Sequence, residues 1–215
     1  EILPPERHEL RAEASFVLAR LLSGAAQFDE ALAQHIKSKA YYEHKENLNL
    51  SDFYGFETWI QEKRSDFKAW ARAVRALVEI NPDKLALHRI PPNNERTRIR
   101  CENIVSELDL LIENDAEADN TWYQALKAMT FYIARQPEKA HDILEGLEKQ
   151  SIAFIDHLRG KCLLRLQRPR EALECFQKVH QIGPAYFDLS LDLAMVYEVL
   201  GNYPEALEHY KELGK

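Results

Sequence analysis

Apolar residues recur every three or four positions along most of the chain, the spacing of one face of an α-helix. The pattern is clearest near the end. Leu189, Leu193, Val196, Tyr197 and Leu200 form one stripe, Gly201-Asn-Tyr-Pro interrupts it, and Ala206, Leu207, Tyr210 and Leu213 form a second. Gly201 suits a left-handed helix end and Pro204 the first turn of the next helix, so the pair predicts a helical hairpin. The same break appears twice upstream, as Arg135-Gln-Pro-Glu-Lys-Ala140 and Gln167-Arg-Pro-Arg-Glu-Ala172. The alanines Ala140, Ala172 and Ala206 are 32 and 34 residues apart. Recurrence at that period marks stacked hairpins, because two short helices cannot bury their stripes on each other alone. A small residue after each turn lets the two helices approach closely.

Earlier segments carry weaker versions of the pattern. A helix from Glu6 to Leu22 is predicted to turn Leu10, Ala14, Val17, Leu18 and Leu21 inward. A turn near Gly24 leads to a second helix bearing Phe28, Ala31, Leu32, His35 and Ile36, with His35 expected as a hydrogen-bonded residue at the hairpin edge. Between Lys39 and Ala118 the register is lost. Ser51 to Lys63 reads as a helix interrupted near Gly55, and Ser65 as the cap of a helix carrying Phe67, Trp70, Val74 and Leu77, a pair without a small residue at its crossing. An irregular stretch at 88–94 precedes a helix from Glu95 to Asn114, with Ile99, Ile104, Val105, Leu108 and Leu111 or Ile112 inward. A charged loop then runs to Asp119. No alternating strand pattern occurs. The resulting division is 1–44, 45–118 and 119–215, the last holding three hairpins.

These positions resemble the tetratricopeptide repeat family. Leu193-Ala194, Tyr197, Gly201, Tyr203, Ala206 and Tyr210 fall on its places, as do Gly160, Leu163, Ala172, Phe176 and Pro184, and Ala128, Phe131, Ala140 and Leu144. Ala19, Leu22 and Ala31 make a fourth, weaker match. The family's Trp place holds Gln124, Asp156 and Ser190, so the repeats are degenerate. The resemblance implies an all-α fold, a right-handed superhelical stack of antiparallel hairpins, with first helices lining a concave groove. Carried over by place, that groove is Trp122, Ala125, Met129 and Tyr132, then Phe154, His157, Lys161 and Leu164, then Asp188, Leu191, Met195 and Glu198. The family's carboxylate-clamp mode needs an Asn that Ala125, Met129, His157 and Lys161 do not supply.

His157, Lys161, Arg165 and Arg168 form one cationic ridge at helical spacing. Two readings of it stand. Asp188 and Asp192 of the next hairpin neutralise it in surface ion pairs, or it seats acidic residues of a partner.

Composition narrows the function. With 46% hydrophobic residues the chain is rich enough for a real core, and no 18-residue apolar run suits membrane insertion. A net charge of -7 opposes a general nucleic-acid or anionic-membrane binder. Arg89, Arg96, Arg98 and Arg100 cluster without interleaved aromatics and read as solvated. Cys101, Cys162 and Cys175 show no pairing pattern, which favours a cytoplasmic location and leaves a periplasmic one open. No Met or leader opens the chain, and the last hairpin ends early, so a piece of a longer protein is expected.

No phosphate loop, dinucleotide fingerprint, HExxH or CxxC is found. Cys162 and His157, five apart on a helix, face each other poorly and are read as a buried thiol and an exposed imidazole. The expectation is no enzyme, no cofactor and no metal. The leading reading is a scaffold binding a protein or peptide segment in the groove. Two alternatives stay open: the repeat domain of a larger enzyme or secretion machine that positions substrate or subunits, and a module that self-associates as a homodimer.

Overall fold

The computed structural model describes residues 5–43, 45, 50–85, 93–114, 120–147, 152–182 and 187–214, apart from the side chains of Pro5, Glu6, Asp83, Phe187 and Asp188. Arg89, Pro184, most of the stretch at 88–94, the loop at 115–119 and the Asp188 side chain thus lie outside the described residues.

Every helix and turn of the described chain follows in order: α1 (Pro5–Gly24), α2 (Phe28–Tyr42), α3 (Ser51–Lys63), α4 (Phe67–Ile80), a 3-10 turn (Pro82–Leu85), α5 (Glu95–Asn114), α6 (Asn120–Ile133), α7 (Pro137–Glu145), α8 (Ala153–Arg165), α9 (Pro169–Ile182), α10 (Phe187–Val199) and α11 (Tyr203–Leu213). No strand occurs among the described residues. Two compact units are present, Glu1–Lys84 and Leu85–Lys215.

Five hairpins share one turn. In each, a backbone N–H reaches back five residues to close the preceding helix: Gln27 to Leu22, Asp66 to Gln61, Gln136 to Phe131, Arg168 to Leu163 and Asn202 to Tyr197, at 2.9–3.0 Å. The residue before that N–H is left-handed, with φ of 60° at Ala26, 57° at Ser65, 61° at Arg135, 61° at Gln167 and 79° at Gly201. This is the Schellman closure, which satisfies carbonyls that a helix end leaves bare. The donor residue then opens the next helix, its carbonyl accepting from Ala31, Trp70, Ala140, Ala172 or Ala206. Four turns place a buried alanine there, and the α3–α4 turn places Trp70.

Several local expectations need correction. The turn after α1 reverses at Ala26, not Gly24. Ser65 is the left-handed residue, and Asp66 is the cap, its Oδ1 accepting from the Ala69 N–H at 3.0 Å. Helix α3 runs unbroken through Gly55, where a Cβ would meet nothing within 4 Å. A helix interior tolerates glycine for about 1 kcal/mol, a loss that packing of α3 on α2 and α4 overrides. On α5, Cys101, Ile104 and Leu108 are buried, whereas Ile99 is exposed and Val105, Leu111 and Ile112 are half-buried.

The largest correction is α1. Its buried residues are Ala12, Ala19 and Ser23, while Leu10, Ala14, Val17, Leu18 and Leu21 are exposed. Helix α1 packs tightly on α2, where Ala31 is also fully buried, and a close crossing selects small side chains over bulky ones. Phe16 from α1 joins Phe53 and Phe56 of α3 around a fully buried His35, whose Nε2 lies 3.6 Å from Glu57. His35 is therefore a core residue rather than an edge one.

In the second unit α5 packs on α6, and each hairpin packs on the next. Phe176, Val179, Leu189, Leu193 and Val196 form the core between α9 and α10, closed by Leu163 and Ala172. Leu207 and Tyr210 on α11 are exposed, so only Ala206 of the last stripe is buried.

Candidate protein-docking groove

Helix α8 sits between α6 and α10, with α7 and α9 also against it. Residues 154–163 are consequently buried on every side. Four of them carry acidic or basic side chains: Asp156, His157, Arg159 and Lys161. A charge in that position needs a partner, because burial unpaired costs several kcal/mol. The fold supplies one for each. Arg159 Nη1 donates to Asp156 Oδ1 at 2.7 Å, and Arg159 Nη2 to the Leu144 carbonyl at 2.8 Å. His157 Nε2 and Lys161 Nζ both donate to Asp192 Oδ2 on α10, at 2.7 and 2.6 Å. Burial pushes the Asp192 carboxyl up, but the His157 hydrogen bond and the Lys161 charge prevail and hold it below the usual carboxylate range.

The ridge therefore divides. His157 and Lys161 are spent on Asp192, in a buried network between repeats rather than surface pairs. His157 is not exposed; it also meets the Phe176 ring edge-on at 5.7 Å. Arg168 forks onto Glu171, with 2.7 Å from Nε to Oε1. Arg165 remains exposed, its guanidinium 4.5 Å from the centre of the Tyr132 ring.

The aromatic end of the groove is also packed. Trp122 and Phe154 are buried against each other, 5.5 Å between centroids, and Met129 and Tyr132 are buried beside them on α6. Burial pushes the Tyr132 hydroxyl up to about 12 against the pull of Arg165. Leu164 and Leu191 are half-buried, and Met195 is 42% exposed. Open to solvent along this face are thus Arg165, Met195 and Glu198, the last accepting from the Tyr210 hydroxyl at 2.9 Å.

Cys162 lies inside the same layer. Burial pushes its thiol up to about 12, outweighing the lowering effects of Arg165 and Lys161, so it stays a protonated, inert thiol near neutral pH. His157 is committed to Asp192 rather than to the cysteine.

The pairing itself was legible in the sequence, as one of the two readings of the ridge, with Asp192 of the next hairpin as its acid. The missing piece was depth, since α8 is enclosed only because α6, α7, α9 and α10 crowd it.

Hairpins that share one turn, with the charges buried between them paired internally, make this a helical-repeat fold. Residues 163–215 match the tetratricopeptide repeat family. In fold the chain is similar to PilW, a widely conserved type IV pilus biogenesis factor, with a TM-score of 0.52 and 13% identity over 94% of this chain and 91% of that one. Weaker similarities extend to pilF of Pseudomonas aeruginosa (TM-score 0.48, 11% identity, 96% and 91% covered) and to the MamA protein (0.45, 16%, 77% and 90%). No curated protein sequence matches the chain.

Proposed function

We propose that the chain is a non-catalytic scaffold that docks a protein segment along the face formed by α8 and α10. The observation that carries this reading is the contrast on that face. A buried, fully paired floor (His157, Lys161, Asp192) holds an exposed cation, Arg165, and an exposed thioether, Met195, on rigid helices. Arginine and methionine are residue types enriched at interfaces, and fixed positions lower the entropy lost on binding. The segment that fits presents an apolar side chain to Met195 and Leu191 and a carboxylate to Arg165. Trp122, Tyr132 and Phe154 act beneath it as support. Among the described residues no helix is long and apolar enough to cross a membrane.

The test immobilises the parent chain and an Arg165→Glu, Met195→Asp variant and compares the proteins each captures. Both substituted side chains are exposed, so thermal melts should coincide while a protein held by the parent is lost from the variant. Equal capture by both would place docking elsewhere.

A further inference from the structure

Helix α1 is apolar on two sides. One side, with Ala12, Phe16 and Ala19, belongs to the first unit's core. The other carries Leu10, Val17, Leu18 and Leu21, which are 63, 55, 42 and 67% exposed, with Ala14 exposed among them. Contiguous exposed leucines mark an interaction face.

The spacing on this face is specific. Leu10, Ala14, Val17 and Leu21 are separated by four, three and four residues, the period of a coiled-coil seam rather than of a core-facing surface helix. On one flank of the seam stand Glu13 and Arg20, each immediately preceding a seam residue and each exposed. Seven residues apart, they share a flank but are about 10 Å from each other along the helix, too far to pair within it. Laying a second α1 antiparallel, with Ala14 over Val17 and Leu10 over Leu21 of the other copy, brings Glu13 of each helix beside Arg20 of the other. Two-fold symmetry produces that pair twice. On the opposite flank the aliphatic stem of Arg11 covers Leu18. A parallel arrangement would set Glu13 against Leu18 instead and lose both pairs.

We propose that the exposed face of α1 is a homodimer seam, packed antiparallel against α1 of a second copy of this chain. Three helical turns bury less than a standard interface, so the dimer is reversible and its share rises with concentration.

Sedimentation equilibrium of the 215-residue chain across a wide concentration range should show the average mass rising from 25.0 kDa toward twice that value. Val17→Glu should hold the mass at that of the monomer while the circular-dichroism melt stays in place. Glu13→Arg and Arg20→Glu should each weaken association about tenfold at low ionic strength, and the two together should restore it. Leu207→Glu, on the exposed face of α11, should leave the dimer intact. A monomer at all concentrations overturns the proposal, as does association that survives Val17→Glu, association abolished by Leu207→Glu, or a double charge swap no tighter than the single ones.

Discussion

Gly160 on α8 is the most closely approached of the described glycines. A Cβ there would lie 2.4–2.9 Å from three ring atoms of Phe176, closer than carbon atoms approach. Gly160→Ala should therefore overpack the α8–α9 crossing and destabilise by about 1–3 kcal/mol. In a Phe176→Leu background the same change should cost clearly less, and a double-mutant cycle by urea denaturation reads that coupling. Equal cost in both backgrounds would mean that the ring is not the obstacle.

Asp192 makes a second prediction at this scale. Asp192→Ala would leave His157 and Lys161 buried without their acceptor, a loss of about 3–5 kcal/mol. The pH dependence follows from its lowered carboxyl. A group held below its unfolded value of about 3.8 contributes its full stability above that pH, and the contribution is lost as pH falls through the folded value. Urea midpoints of the parent should thus fall below about pH 4, and Asp192→Asn should remove part of that acid limb. An acid limb unchanged in the variant would assign it to other carboxylates.

At the scale of the element, the shared turn carries the hairpins. Four of the five left-handed positions hold residues other than glycine, which cost about 1 kcal/mol each in that conformation. Gln167→Gly and Arg135→Gly should be neutral to mildly stabilising, since relief of strain opposes the added freedom of the unfolded chain. Gly201→Ala should destabilise by about 1 kcal/mol through φ alone, because nothing lies within 4 Å of its Cβ. Ala172→Leu and Ala206→Leu act by the other mechanism, overpacking the crossing by about 1–3 kcal/mol. Ala172 lies within the α8–α10 core and Ala206 beside the exposed face of α11, so Ala172→Leu should cost more. Thermal melts of the five variants separate strain from packing.

The turns were legible in the sequence at Pro137, Pro169 and Pro204, because proline and glycine restrict the backbone wherever they stand. The turn at Ser65 was legible only as a cap, since no residue type there announces a left-handed backbone. Helix α1 shows the reverse error. Its bulkiest stripe was the natural choice for the core, yet Ala12 and Ala19 are the buried residues, because helix approach rewards small side chains.

At the scale of the molecule, each unit has its own core: aromatic rings around His35 in the first, and the Phe176–Leu189–Leu193 cluster in the second. Residues 85–215 expressed alone should be helical and melt cooperatively. A non-cooperative melt would show that the second unit needs the first.

Sequence alone determined the helical class, the hairpin period and the alanines at four crossings, because periodicity, proline, glycine and small-residue spacing act locally. Depth was decided by tertiary structure. Whether Lys161 or Arg165 faces water depends on how many helices crowd α8, and no single stretch of chain records that number. The cationic ridge read along α8 thus became a paired floor with one open arginine, and the stripe read into the core of α1 became its exposed face.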